Sequence, residues 1–209
     1  YQEGRPVLAV RGSEKRELQR QKIAIDESIM SQRRDPDQYP EMAYLAESYE
    51  RSRLFREWSF GRSSVFRTPQ EADLRSDVLE ENFSNLGLFL NHLRSVPKVK
   101  NAIIAQLRDL YEGLDDFDVR VKGGTVEVFL TEGDFVVPAS RLSDGTLRFI
   151  CLATVLLQPE EFMPAAILID EPELGLHPYA IAVLGAMMKS TAGQHQLIIS
   201  TQSVELVTE

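Results

Sequence analysis

A short aliphatic segment that ends in two adjacent acids constrains the fold of this 209-residue chain more than any other feature. Residues 166–169 are apolar, Asp170 and Glu171 follow directly, and a turn rich in Pro and Gly leads to Pro178, where a helix is predicted to begin. A second apolar segment, residues 197–199, lies beyond that helix. Strand–helix–strand order with strands apolar on both faces is typical of a parallel sheet. The pattern predicts an α/β fold, although the two acids alone would equally suit a buried strand with a solvated end.

A second informative segment lies upstream. Residues 142–146 read LSDGT and precede a long apolar run, 147–157, that predicts a buried helix stopping before Pro159. Ser143 is a favourable N-cap, and Gly145 allows the backbone to approach a ligand closely. Exposed N–H groups and a hydroxyl at a helix N-terminus can bind an anion. An ordinary capped helix explains the same residues.

A third segment lies downstream. Residues 196–200 read QLIIS and predict a short strand, after which Thr201, Gln202 and Ser203 follow. The side chain of Gln202 can donate a hydrogen bond to a phosphate oxygen, but it cannot carry a positive charge. Considered alone, Gln202 is better explained by a role in capping the strand.

The order of these three segments resembles that of ABC-type ATPases of the RecF/SMC-like branch. LSDGT is similar to the LSGGQ signature, with Asp144 in place of its first glycine and Thr146 in place of its glutamine. ILIDE resembles a Walker B strand, and TQS resembles the switch segment, with Gln202 where the family usually has histidine. PELGLHP resembles the D-loop, which contains Leu174, Gly175 and His177. The resemblance implies a P-loop NTPase with a parallel sheet core, an antiparallel β part and a helical lobe.

The resemblance also implies a mechanism in which two protomers enclose ATP between them as a homodimer. Asp170 would orient Mg²⁺ through water, Glu171 would act as the general base, and Gln202 would sense the γ-phosphate. The signature of the other protomer would approach the same phosphate through three residues: Ser143, Gly145 and Thr146. We therefore expect an ATPase, and we expect the output coupled to it to lie in DNA maintenance or antiphage defence.

Two residues in these motifs need separate interpretation. A carboxylate at Asp144 would repel the γ-phosphate, so we predict that its side chain points away and caps the helix, leaving backbone N–H groups toward the nucleotide. His177 precedes Pro178, and an N-cap role is favoured over catalysis.

The sequence lacks a Walker A loop, the G-x-x-x-x-G-K-[ST] segment whose backbone and lysine hold the phosphates. Residues 12–15 have the wrong spacing, and residues 122–125 have the reverse order. Either the N-terminal part is absent from this chain, or the protein is a non-hydrolysing interaction and dimerisation module. In both cases the chain alone is expected to be inactive.

The organisation predicted is one partial ABC-type ATPase domain over residues 1–209. Within it, residues 1–60 are expected to form antiparallel strands and a helix, and residues 61–115 a helical lobe. Residues 116–140 are expected to form a β-hairpin, and residues 141–209 to carry the signature, Walker B, D-loop and switch.

Local patterns predict the elements within these parts. Residues 40–53, 85–96 and 98–114 have helical periodicity, with Pro40 and Pro97 near helix starts. Alternation around Gly123-Gly124 predicts a hairpin over 118–130, which is followed by a third strand at 135–137. A strand is also predicted at 54–60, and a loop at 61–75.

Composition limits the partners. The net charge of −9 gives no support to nucleic-acid binding, which the resemblance nevertheless leaves open. No apolar run approaches the roughly 20 residues of a membrane span, which argues against a transport subunit. The single cysteine, Cys151, lies in an apolar run and favours a core position in a cytoplasmic protein. A nuclease subunit lacks support because no acidic metal cluster occurs beyond Asp170 and Glu171.

Overall fold

The computed structural model describes residues 7–8, 16–17, 27–32, 35–56, 58, 61–65, 67–111 and 113–208. The chain forms two compact units, residues 1–52 and residues 53–209. All three segments singled out above lie in the second unit. No helix in the described part of the chain is both long and apolar enough to cross a bilayer.

The first unit contains a strand pair and two helices. β1 (Val7–Leu8) pairs antiparallel with β2 (Arg16–Glu17). Antiparallel strands are predicted in this part of the chain from apolar patches at 7–10 and 23–25, but β2 lies in the polar stretch predicted as the turn between them, and residues 23–25 lie outside the described residues. α1 (Ile29–Gln32) precedes α2 (Pro40–Glu50).

α2 begins at Pro40 as predicted, because the N–H that proline lacks would have no helical partner at that position. It ends at Glu50 instead of the predicted residue 53, since Arg53 already belongs to the next strand. The side chains predicted to form its apolar face divide into a buried pair, Met42 and Ala46, and an exposed pair, Leu45 and Tyr49.

The second unit is mixed α/β. In chain order it contains β3 (Arg53–Phe55), β4 (Gln70–Glu71), α3 (Leu86–Leu93), α4 (Pro97–Leu110), β5 (Leu114–Lys122), β6 (Thr125–Glu132), β7 (Phe135–Pro138), α5 (Asp144–Leu157), β8 (Ile167–Asp170), α6 (Pro178–Ala192), β9 (Leu197–Ser200) and α7 (Val204–Thr208).

The parallel sheet predicted from the strand–helix–strand pattern is present, with strand order β3-β8-β9. β8 pairs in parallel with both neighbours, and Asp170 lies opposite Ser200 in the register. The carboxyl ends of the strands therefore meet at one edge, which is where ligands bind in open α/β sheets. The apolar faces predicted for 197–199 are only partly covered, since Ile198 is exposed.

The antiparallel sheet has strand order β4-β6-β5, with β7 also paired to β6. The predicted hairpin forms, and both glycines of its turn have positive φ, +60° at Gly123 and +78° at Gly124. Two positive φ values match the primed turns that suit the twist of paired strands. The strands extend beyond the predicted 118–130 because β5 starts at Leu114.

Several predicted boundaries differ from those of the structure. The segment predicted as a loop, 61–75, contains β4, and the helix predicted over 98–114 ends at Leu110 because β5 begins soon after it. The strand predicted at 54–60 ends at Phe55.

One apolar core joins α3, α4, α5 and α6 to the sheets. α5 is buried along nearly its whole length, and Cys151 within it is fully buried, as predicted. Burial raises the pKa of the Cys151 thiol, so this side chain behaves as a small apolar group. The largest fully buried apolar side chains are Phe55, Phe83, Phe89, Phe117, Phe149, Leu90, Leu93, Ile103, Leu107, Leu114 and Leu130.

Candidate functional site

The carboxyl edge of the parallel sheet brings two chain-distant segments together. The Ser200 hydroxyl at the end of β9 donates a hydrogen bond to Asp170 Oδ1 at the end of β8. The Glu171 N–H donates to the Ser200 carbonyl at 2.9 Å, which extends the pairing one residue past the strands. Oxygen ligands of this kind, a carboxylate with a nearby hydroxyl, suit Mg²⁺, which is commonly held by one or two carboxylates together with substrate phosphates.

Glu171 has an unusual backbone. Its φ is +46°, a left-handed conformation that side chains other than glycine seldom adopt, and it precedes Pro172. Such a residue costs about 1–3 kcal/mol and persists only where its surroundings hold it in place. Here the Leu174 N–H donates to the Glu171 carbonyl at 3.2 Å, forming the turn that starts the D-loop.

Gln202 contacts the two glutamates that flank Pro172. Its side-chain amide donates to Glu171 Oε1, and its backbone N–H donates to Glu173 Oε1 at 2.8 Å. Asp170, Glu171 and Gln202, which the resemblance places in one site, therefore lie together at this edge.

Arg148 reaches this edge from the signature helix. It is fully buried on α5, and its guanidinium donates to the Glu171 carbonyl. The guanidinium carbon lies 4.1 Å from the centroid of the Trp58 ring, and Trp58 Nε1 donates to the Asp170 carbonyl at 2.8 Å. Burial lowers the pKa of Arg148 to about 10, an effect that the charge of Glu173 opposes.

The signature residues form the N-terminus of α5. Ser143 is the N-cap, and its hydroxyl accepts a hydrogen bond from the Thr146 N–H at 3.0 Å. The two hydroxyl oxygens, Ser143 Oγ and Thr146 Oγ1, lie 2.8 Å apart. Ser143 is exposed, so its hydroxyl can be reached from outside the protomer.

Asp144 does not cap the helix, and the prediction that it would is wrong because Ser143 occupies that position. Asp144 Oδ1 instead accepts from Arg67, at 2.6 Å to Nη2 and 3.2 Å to Nε, while Oδ2 accepts from the Gly61 N–H at 3.3 Å. Arg67 also donates to the Ser140 carbonyl at 3.1 Å. The hydrogen bonds from Arg67 hold the pKa of Asp144 below its usual value. The carboxylate is thus neutralised within its own protomer.

The signature and the D-loop are in direct contact. A Cβ added to Gly145 would lie 2.9 Å from the Gly175 carbonyl oxygen, closer than side-chain carbons approach. Gly175 itself has φ +76°. Glycine is needed at both positions, at one for close approach and at the other for backbone conformation.

A cavity of about 330 Å³ opens beside this contact. The hydroxyls of Ser143 and Thr146, the D-loop and the ends of α4 and α6 line it. His177 lies on its rim and is the N-cap of α6, accepting from the Tyr179 N–H at 3.3 Å, as predicted. Leu174 is exposed.

Sequence reasoning missed several residues of this site. The sequence could have indicated Arg148, since it is the only charged residue within the apolar run 147–157. No sequence feature marks Trp58, Arg67 or Glu173 as part of the site, because their partners are distant in sequence or are backbone groups.

Comparisons with known proteins agree with this architecture. Residues 17–208 match the family described as "AAA domain, putative AbiEii toxin, Type IV TA system". The chain is 28% identical over 156 residues to the Old nuclease of Escherichia phage P2, an alignment that covers 63% of this chain and 27% of the relative. The chain thus spans about a quarter of the length of that relative.

Two solved structures are similar at low identity. The Smc head domain of Pyrococcus furiosus, solved with an extended coiled coil, is 16% identical, with a TM-score of 0.46, over 61% of this chain and 34% of that chain. The SMC head domain of Thermotoga maritima is 17% identical, with a TM-score of 0.40, over 58% and 44%. The family match extends over nearly the whole chain and confirms the ATPase fold class predicted from the sequence. The chain belongs to the AAA-domain family that this match defines.

Proposed function

We propose that the protein containing this chain is an ATP-binding and ATP-hydrolysing switch that works as a nucleotide-sandwiched homodimer. One observation carries the proposal: Asp170, Glu171 and Gln202 meet at the carboxyl edge of the parallel sheet, with the Gln202 amide directed to the Glu171 carboxylate. ATP hydrolysis uses a carboxylate for Mg²⁺, a second carboxylate as general base and a donor near the γ-phosphate, and these three residues can supply those groups.

The residues of one protomer divide the work. Asp170, oriented by Ser200, would hold Mg²⁺ through water, and the metal would supply charge neutralisation at the phosphates. Glu171 would accept the proton of the attacking water, and Gln202 would orient the Glu171 carboxylate and sense the γ-phosphate. Because Gln202 cannot change its charge, it takes no part in proton transfer.

The signature would serve the nucleotide of the other protomer. Ser143 presents an exposed hydroxyl, and Gly145 would contribute a backbone N–H of the first turn of α5. Thr146 would contribute its hydroxyl, since its N–H already donates to Ser143. The pairing of Asp144 with Arg67 removes the repulsion that an unpaired carboxylate would exert on a phosphate there. The D-loop residues Leu174, Gly175 and His177 would lie at the same interface.

The remaining contacts to ATP must come from a Walker A loop, which the 209 residues do not include. For this reason the test uses the full-length natural protein. We expect Mg²⁺-dependent ATP turnover by the wild type, and a loss of about 100-fold or more in kcat for Glu171→Gln, since general-base catalysis contributes roughly that much.

Asp77→Asn provides a matched control, because Asp77 is an exposed carboxylate in a surface ion pair with Arg75. It should retain wild-type turnover. Equal ATP turnover by the wild type and Glu171→Gln would contradict the assignment of Glu171 as the general base. The absence of both turnover and ATP binding would favour the second candidate, a non-catalytic interaction and dimerisation module.

For the process served, we propose DNA maintenance or antiphage defence in the cytoplasm. The similarity to a phage protein named a nuclease supports this, as does a family description that includes a toxin–antitoxin system. ATP-dependent degradation or binding of linear DNA by the full-length protein is the corresponding assay. A protein that hydrolyses ATP yet neither binds nor cuts DNA would contradict the DNA-linked part of this proposal.

A further inference from the structure

Arg148 is the one charged side chain among the described residues that is buried from solvent. Burying a guanidinium is unfavourable unless it is well paired, so such a residue needs a reason. The charged end of the side chain lies at the backbone of the two acids, near the charge of Glu173.

The contacts hold two consecutive carbonyl groups. Arg148 donates to the Glu171 carbonyl, and Trp58 donates to the Asp170 carbonyl at 2.8 Å. The Trp58 ring lies under the guanidinium at 4.1 Å and also stacks on Phe83 at a centroid distance of 5.4 Å. The Arg148 guanidinium therefore lies between the Trp58 ring and the carboxyl end of β8.

The geometry bears directly on the direction of the Glu171 side chain. With φ at +46°, Glu171 projects its carboxylate differently from a residue continuing the strand, and it lies against Gln202 as a result. The backbone contacts of Glu171 therefore determine where its carboxylate sits. Of these, only the contact from Arg148 originates in the helix whose first turn carries the signature.

We propose that Arg148, supported by Trp58, is a positioning residue that fixes the Glu171 carboxylate as the base for the water that attacks ATP and ties its placement to the signature helix. The proposal rests on the proposed ATPase function. Arg148 lies one helical turn after Ser143 and Gly145, so a shift of α5 when the signature meets a nucleotide moves the group that holds Glu171. Arg148 itself touches neither water nor phosphate in this scheme.

The test is steady-state ATP turnover by the full-length protein carrying Arg148→Met or Arg148→Lys. Methionine keeps much of the stem volume without the charge, and lysine keeps a charged donor without the flat fork that stacks on Trp58. We expect kcat to fall roughly 10- to 100-fold in Arg148→Met, since misplacement of a catalytic group by about 1 Å costs up to that much. The KM for ATP should stay within about threefold, because the interaction acts on the chemical step.

Arg148→Lys should retain part of the kcat that Arg148→Met loses. Trp58→Phe should also lower kcat, by a smaller factor than Arg148→Met. Arg120→Met is the matched control, because Arg120 also lies over an aromatic ring, 4.3 Å from the Phe129 centroid, but on the antiparallel sheet. It should leave both constants unchanged. Melting temperatures and Kd for a fluorescent ATP analogue are measured on every variant, so that a loss of folded protein is separated from a loss of kcat.

Each outcome decides the matter. A folded, ATP-binding Arg148→Met protein with wild-type kcat overturns the positioning role while leaving the ATPase proposal intact. A loss of kcat no larger than the loss of folded protein also overturns it, because Arg148 would then be only structural. A wild-type protein that neither binds nor hydrolyses ATP overturns the ATPase proposal, and the positioning role falls with it.

Discussion

Glu171, the proposed general base, has an unfavourable backbone geometry that several neighbouring groups hold in place. Its left-handed conformation is held at the N–H by Ser200, at the carbonyl by Arg148 and Leu174, and at the carboxylate by Gln202. The sequence shows two adjacent acids before a proline but not this conformation. Nothing in an ILIDEP string specifies a positive φ at the second acid.

The strain at Glu171 predicts an ordering of two variants that both lack the carboxylate. Glu171→Gly should be more stable than Glu171→Ala by about 1 kcal/mol, because glycine adopts positive φ without the steric cost that a Cβ brings. Urea denaturation of both variants measures the difference. An alanine variant as stable as the glycine variant would show that the backbone relaxes once the side chain is shortened.

Asp144 provides a pH-dependent prediction at the same scale. Its pKa is lowered in the folded protein by the hydrogen bonds from Arg67, so the pair stabilises the fold above the ordinary carboxyl pKa and loses this effect as pH falls through the lowered value. At pH 7 the wild type should have a higher melting temperature than Asp144→Asn. This gap in melting temperature should close as the pH falls below about 4.

The control for this prediction is Asp77→Asn, which disrupts a more exposed ion pair with Arg75 and should change the melting temperature little at pH 7. A gap between wild type and Asp144→Asn that persists unchanged at low pH would mean that the stabilisation does not come from the ionised carboxylate.

At the scale of secondary-structure elements, the contact between the signature helix and the D-loop carries a prediction. Gly145→Ala would place a Cβ 2.9 Å from the Gly175 carbonyl, and both groups belong to backbone that cannot rotate away. We expect a destabilisation of about 1–3 kcal/mol, typical of overpacking, together with weaker ATP-dependent dimerisation. Chemical denaturation and sedimentation of the full-length protein measure the two effects.

Gly193→Ala is the control. The nearest neighbour of an added Cβ there would be a backbone carbonyl oxygen at 3.4 Å, and Gly193 has a helical φ of −67° that alanine adopts readily. It should be close to neutral. If Gly145→Ala is equally neutral, the D-loop yields without cost and the two motifs are not rigidly joined.

Sequence patterns predicted elements best where periodicity and punctuation agreed. The Gly123-Gly124 hairpin, the start of α6 at Pro178 and the end of α5 before Pro159 follow from local residues alone. β4 could not be predicted, because a two-residue strand is defined by its partner β6 and not by its own sequence.

Contacts that complete the site are long-range, which is why sequence reasoning did not reach them. Trp58 and Asp170 are 112 residues apart, Arg67 and Asp144 are 77 apart, and Arg148 and Glu171 are 23 apart. Motif order did bring Asp170, Glu171 and Gln202 into one hypothesis, because parallel strands align their carboxyl ends.

At the scale of the whole molecule, the chain carries two groups of candidate site residues, which we propose to be half-sites. The carboxyl edge of the parallel sheet carries Asp170, Glu171 and Gln202, and the N-terminus of α5 carries Ser143 and Gly145. In the proposed dimer each half-site of one protomer meets the other half-site of its partner around one ATP. In this proposal, ATP itself joins two copies of the protein.

The most direct test is the mass of the full-length Glu171→Gln protein in solution, with and without Mg-ATP. The variant should bind ATP without hydrolysing it. Sedimentation or light scattering should therefore show the mass of a dimer with Mg-ATP, and the mass of a monomer with Mg-ADP or without nucleotide. Adding Ser143→Arg, which places a bulky side chain at the signature, should abolish the doubling. A mass that ignores ATP in the Glu171→Gln protein would contradict the nucleotide-sandwiched dimer.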